Sequence, residues 1–326
     1  MQVNKGVFGI LFVALWIGGL SNAVIAEGKP TRSAWLTYWD GAAGIQALNE
    51  TETKYDAIIL FAAYFDINHQ LVVPRQLMAS NEEIDQLKEK PKRYLSFVND
   101  QEITTNQFKL KDRDVLHEVF RTETSMQAHI DEIIRLALAN DCDGIEIDYE
   151  RIWKDELVAE RFLRFVRKLN ETAMQNNLRL RVVLEPSTPF EKFVGIQGVE
   201  YIVMLYNLYG VHSEAGPKAD RDFIIKTIQR MQSLAANKGV AFSAGGCLWG
   251  EDGTKRFITE NQARELARKQ QAKLRRDKSS QCLVFDYEVA GVRYTVWYAD
   301  GKTLQYWMNT AKENGITDIT IWRLGG

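Results

Sequence analysis

Three carboxylates stand at alternate positions in the stretch Asp143-Gly144-Ile145-Glu146-Ile147-Asp148-Tyr149-Glu150. The β-branched residues Ile145 and Ile147, with Tyr149, predict a strand. Side chains on a strand alternate faces, so Glu146, Asp148 and Glu150 share one face and the apolar residues share the other. Neighbouring carboxylates on that face sit about 7 Å apart. Proximity and burial together raise the pKa of at least one of them. A carboxyl that keeps its proton near neutral pH is what a general acid requires. An acidic edge strand facing water is the plainer reading. A divalent-metal site is a third, since hard cations take carboxylate oxygens, but the surrounding sequence offers no further dedicated ligands.

The elements around this strand argue for a central position. The apolar run Ile133-Ile134-Arg135-Leu136-Ala137-Leu138 precedes it, and an amphipathic stretch over 156–175 follows, with Leu157, Phe162, Phe165, Val166 and Leu169 at inward spacing. The same alternation of short apolar runs and amphipathic stretches runs through most of the chain. Strands are expected near 33–39, 55–65, 93–98, 143–150, 178–185, 200–207, 239–245 and 317–324. Helices are expected near 42–49, 82–90, 125–140, 156–175, 220–236, 259–275 and 303–314, with Pro91 closing the second. Eight such units in about 300 residues predict an α/β fold, a (β/α)8 TIM barrel, with a small α+β insertion over about 262–300 before the last helix. Active sites of such barrels lie at the C-terminal ends of the strands. That rule nominates Glu150, Tyr38 or Trp39, Tyr64, Asn99, Glu185, Tyr206 with Asn207, and Trp322.

Composition narrows the function classes. The formal net charge is −2 over 326 residues, which gives no footprint for nucleic acid or for an anionic membrane. There is no Walker A loop, no G-x-G-x-x-G and no H-E-x-x-H, so no nucleotide, cofactor or metal partner is expected. Cys142, Cys247 and Cys282 have no metal spacing; the first two fit small buried hydrophobes, and a Cys247–Cys282 bridge stays open. Residues 1–26 carry Lys5 and then an uncharged apolar run to Ala26, the pattern of a secretory leader. One domain over 27–326 is therefore expected to act outside the cell or at its wall, as a monomer.

At the acidic strand the sequence resembles glycoside hydrolase family 18, whose strand-four motif is Asp-Gly-x-Asp-x-Asp-x-Glu. Asp143, Gly144, Asp148 and Glu150 match, and Glu146 departs by one methylene. Met204-Leu205-Tyr206-Asn207 resembles the family's strand-six Met-x-Tyr-Asp, and Trp322 matches its strand-eight Trp. The segment 296–303 and the terminal Ile-Trp-Arg-Leu-Gly look like the bacterial spore-cortex-lytic, peptidoglycan N-acetylglucosaminidase group, without that group's usual LysM repeats ahead of the barrel.

The resemblance implies substrate-assisted retaining hydrolysis of an N-acetylated polysaccharide, peptidoglycan foremost. Glu150 would be the acid and Asp148 the support of the substrate acetamide. Glu146 would share a proton with Asp148 or tune it. Tyr206, Asn207, Met204 and Trp322 would contact sugar, and the strand-end rule adds Tyr64 and Asn99 to them. A chitinase or endo-N-acetylglucosaminidase of the same mechanism, and a sugar-binding protein without catalysis, are the alternatives.

Overall fold

A computed structural model describes residues 31–105, 107–234 and 237–326; the expected leader over 1–26 lies outside them. Eight strands form the barrel: β1 (Arg32–Thr37), β2 (Ala57–Phe65), β3 (Lys92–Thr104), β4 (Gly144–Asp148), β5 (Arg179–Leu184), β6 (Glu200–Met204), β7 (Lys238–Ser243) and β8 (Asp318–Trp322). Each is hydrogen-bonded in parallel to the next, and β8 returns to β1, so the sheet closes. This is the (β/α)8 barrel.

The alternation on β4 sorts its residues as expected. Ile145, Ile147 and Tyr149 join the layer between barrel and helices, with Phe162, Phe165, Val166 and Leu169 of the helix Glu156–Gln175. Asp155 caps that helix by accepting from the Val158 N–H at 3.1 Å. Val158 is buried there, while Leu157 is 48% exposed, one position off the inward stripe. The barrel interior is a second apolar cluster, made by Trp35, Ala57, Ile59, Tyr94, Val183, Ile202, Met204 and Ala241. Gly144 is required where β4 meets this interior, because a Cβ there would lie 2.5 Å from the Tyr94 ring.

Three expectations need correction. The second helix is Arg75–Asp85, not 82–90. It starts directly after Pro74, and Lys90 precedes a proline, a position that disfavours helical backbone. Strand β3 does not stop at 98; it runs on to Thr104 and folds back as an antiparallel hairpin with Gln107–Lys109. The insertion begins near 245 rather than 262. After β7 the chain turns at Gly245 (φ +65°) into a second, five-stranded antiparallel sheet that ends at Ala299. The helix Glu260–Lys269 covers that sheet, Ala263 and Ala267 packing on Leu248, Phe285 and Val296. Cys142, Cys247 and Cys282 are all buried free thiols.

Candidate active site

The acidic face of β4 rises through the barrel interior in three tiers. Lowest is Glu146, fully buried. Its Oε1 accepts from Trp35 Nε1 at 2.7 Å and from Ser96 Oγ at 2.9 Å. Its Oε2 lies 2.8 Å from Arg181 Nε, an ion pair in contact but out of hydrogen-bond alignment. Arg181 is itself buried, and its guanidinium donates to Ser33 Oγ at 3.0 Å and to Thr320 Oγ1. The pairing register sets Glu146 directly beside Arg181. Burial raises the Glu146 pKa, and Arg181, Trp35 and Ser96 oppose the rise.

Asp148 is the middle tier, 7% exposed, and its Oδ1 has no hydrogen-bond partner. Burial, then the charges of Glu150 and Glu146, push its pKa well up; Lys111 opposes them. No hydrogen bond joins Asp148 to Glu146 among the described residues, because Trp35, Ser96 and Arg181 hold the Glu146 oxygens. Of the two roles expected for Glu146, the tuning of Asp148 is the one its charge supports, by raising the Asp148 pKa.

Glu150 is the top tier, just past the end of β4. Its backbone is gripped by one side chain: Asn99 Oδ1 accepts the Glu150 N–H at 2.8 Å, and Asn99 Nδ2 donates to the Glu150 carbonyl at 3.2 Å. Asn99 Nδ2 also donates to the Asp112 carbonyl at 3.1 Å, and Asn99 is wholly buried. Asn99 was expected to touch sugar; its polar atoms are spent beneath Glu150, so it is a positioning residue. The Glu150 carboxylate accepts from Lys111 Nζ at 2.5 Å on Oε2. Burial raises the Glu150 pKa, Lys111 pulls it down, and Glu185 and Asp100 push it up again.

Tyr206 and Trp322 border the same cluster, and Met204 is buried within it. Burial, then the charges of Asp148, Glu150 and Glu146, raise the pKa of the Tyr206 hydroxyl. The Trp322 ring meets Phe61 edge-on at 4.9 Å and Trp35 at 5.6 Å. Asn207 is exposed, one residue beyond Tyr206, with no hydrogen bond to the carboxylates among the described residues. Tyr64 is packed edge-on against Phe108 at 4.9 Å and tilted against Tyr38 at 6.1 Å. Trp39, 53% exposed, is 6.5 Å from Trp322 and 4.9 Å from Tyr38, so aromatic rings run along the mouth from Trp322 to Phe108. Glu185 accepts the Arg151 N–H at 3.1 Å beside Glu150.

Two residues of the site escaped the sequence reading. Arg181 had a signal: a single cation inside the apolar run Leu180-Arg181-Val182-Val183-Leu184 must find a partner when that strand is buried. Lys111 had none. It reaches Glu150 only because β3 overruns the barrel and its hairpin returns the chain to the mouth, where the Lys111 N–H is held by Asp100 Oδ1 at 2.7 Å. A cavity of about 920 Å³ lies at the opposite end of the barrel, among Arg32, Asp56, Lys92 and Thr317 at the strand starts.

Residues 34–326 match the family described as glycosyl hydrolases family 18. Among curated proteins the chain is 25% identical over 230 residues to the uncharacterized glycosylase YvbX of Bacillus subtilis, covering 66% of each chain. It is 25% identical over 240 residues to the cortical fragment-lytic enzyme of Bacillus anthracis, covering 65% of this chain and 53% of that one. The match thus spans about half to two thirds of these relatives' length. Among solved structures, the spore cortex-lytic enzyme SleL of Bacillus cereus superposes with a TM-score of 0.76 at 19% identity, over 91% of this chain and 71% of that one. A chitinase from Chromobacterium violaceum gives 0.76 at 18%, over 91% and 95%. At these identities the structural likeness speaks for the fold.

Proposed function

The chain belongs to glycosyl hydrolase family 18 and is a glycosidase, and on that premise we propose that it hydrolyses β-linked N-acetylglucosamine glycans, foremost peptidoglycan, with retention of configuration. The observation that carries this reading is the stack of Asp148 beneath Glu150 at the barrel mouth, walled by Tyr206 and Trp322. Glu150 protonates the glycosidic oxygen. The sugar's own 2-acetamido oxygen attacks the anomeric carbon and forms an oxazolinium ion, so no second carboxylate has to act as nucleophile. Asp148 holds the acetamide N–H and offsets the developing positive charge. Glu150 then takes a proton from the water that opens the ring.

The rest of the site follows from that chemistry. Tyr206 donates its hydroxyl hydrogen to the acetamide, Met204 packs beneath it, and Asn207 contacts the same sugar from the rim. The apolar face of the pyranose rests on the Trp322 indole. Tyr64, with Trp39 and Tyr38, serves sugars further along the strand. The barrel works as one domain, and residues 1–26 direct it out of the cell.

The test is product analysis by mass spectrometry on purified peptidoglycan and on chitin oligomers, for the mature chain and for Glu150→Gln. Peptidoglycan fragments ending in reducing N-acetylglucosamine are expected, with turnover in the variant lower by about 100-fold or more. Cleavage of chitin alone would keep the mechanism and move the substrate. Unchanged turnover in Glu150→Gln would sink the assignment of the acid, and retained sugar binding with no products would point to a lectin.

A further inference from the structure

A lysine beside a general acid is an obstacle to the reaction just described. Lys111 Nζ sits 2.5 Å from Glu150 Oε2, and pairing with a cation favours the ionised acid, which has no proton to give. The Glu150 carboxylate must also come to about 3 Å from the glycosidic oxygen. The ammonium is therefore next to the leaving oxygen, on the solvent side: the Lys111 side chain is 36% exposed and that of Glu150 13%. A substrate entering the mouth meets Lys111 before it meets the acid.

We propose that Lys111 is the specificity-determining residue for the sugar on the leaving side of the scissile bond, selecting a sugar that carries a free carboxylate beside the leaving oxygen. This deepens the reading of Glu150 as the acid and rests on it. In a 1,4-linked strand the leaving oxygen is O4 of the next sugar. In N-acetylmuramic acid the neighbouring O3 carries a short lactyl ether ending in a carboxyl. In chitin O3 is a bare hydroxyl. A free lactyl carboxylate, as on strands whose stem peptides have been removed, can draw the ammonium off Glu150, while an amide-linked lactyl group or a bare hydroxyl leaves it in place.

Selection and catalysis are then coupled. Around Glu150 stand Lys111 from the segment after the β3 hairpin, Asp100 from β3, Asp148 from β4, Glu185 past β5 and Tyr206 past β6. Lys111 is the cation paired with Glu150 in that set, and Arg151, next in the chain after Glu150, acts on Asp100. Once the Lys111 charge is engaged by substrate, the carboxylates that remain all favour the protonated form of Glu150. The acidic leaving group arms the acid that expels it.

The experiment compares kcat/KM on three tetrasaccharides: alternating N-acetylglucosamine and N-acetylmuramic acid with free lactyl carboxyls, the same strand with those carboxyls converted to methyl amides, and chitotetraose. The wild-type chain is expected to prefer the acid over the amide by about tenfold or more, the scale of a hydrogen bond to a charged group. Lys111→Met should collapse that ratio and move the alkaline limb on the amide substrate to higher pH. Lys111→Arg should restore the ratio. Equal wild-type rates on acid and amide would overturn the proposal, as would a Lys111→Met variant that loses both by the same factor. A wild-type chain that cleaves none of the three would instead remove the reading of Glu150, and the proposal with it.

Discussion

Replacing Arg181 by Met would strand a charge in the middle of the barrel. Glu146 and Arg181 are 0% and 1% exposed, so neither can turn to water when the other is lost. Removing one partner of a buried pair costs about 3–5 kcal/mol, since the remaining ion keeps its desolvation penalty without the attraction. Trp35 and Ser96 would still donate to Glu146 Oε1, which favours the lower half of that range. With an unfolding entropy of about 2.1 cal/mol/K per residue over about 300 residues, the loss lowers Tm by roughly 5–8 °C.

The variant carries its own pH signature. Without Arg181, the folded-state pKa of Glu146, already raised by burial, rises further. A carboxyl with a raised folded pKa binds more protons folded than unfolded, so its penalty is absent below the unfolded value of about 4.3 and grows as pH rises. Urea unfolding at pH 5 and pH 7.5 should show the larger deficit at pH 7.5. Adding Glu146→Gln should recover at least half of it, because the neutral amide carries no charge to strand. A deficit under about 1 kcal/mol at pH 7.5, or one that widens on acidification, would refute the account of this pair.

Further outcomes follow from the same geometry. Asn99→Ala leaves the Glu150 backbone N–H without its partner, and it should cost about 1–3 kcal/mol and lower kcat with little change in KM; an unchanged kcat would remove Asn99 as the residue that positions the acid. The proton on Glu150 is lost as pH climbs through its raised pKa, so kcat/KM should fall on the alkaline side at a pH above the ordinary carboxylate range; a rate flat from pH 4 to 8, roughly, would deny it the acid's role. His129 is buried against Tyr149, its Nε2 2.8 Å from the hydroxyl, and burial lowers its pKa to about 3. Its ring should therefore be neutral by NMR at pH 5. The unfolded chain takes up that proton first, so stability should fall as pH drops from about 6.5 toward about 3; a charged ring at pH 5 would contradict this.

The barrel was legible because parallel βα units repeat one pattern, and Ile145, Ile147 and Phe162 announce their layer through spacing alone. The vertical order of Glu146, Asp148 and Glu150 was legible for the same reason, since a strand's alternation is rigid. What each residue does was less so. Asn99 sits at a strand position that suits contact with substrate, and only the close approach of β3 to Glu150 shows its side chain already spent. Lys111 was out of reach because a hairpin, not a periodic element, delivers it. The insertion was misplaced at its start because Gly245-Gly246 reads as a stop, whereas Gly246 in fact pairs with Tyr298 in the second sheet.

The closing seam between β1 and β8 bears on when the site becomes complete. Thr31 Oγ1 donates to Asp318 Oδ1 at 2.7 Å, Leu324 N–H to the Trp35 carbonyl at 3.0 Å, and Arg323 pairs with Asp40, across some of the longest sequence separations in the molecule. Such distant contacts form late and slowly, because a long loop must close before they stabilise anything. The three carboxylates lie near the middle of the chain, yet the indole beside them arrives with the last strand. A ribosome-bound chain short of residue 318 lacks both the seam and Trp322. Until that last strand pairs with β1, the carboxylates stand in an open sheet without the ring that borders the interior above them.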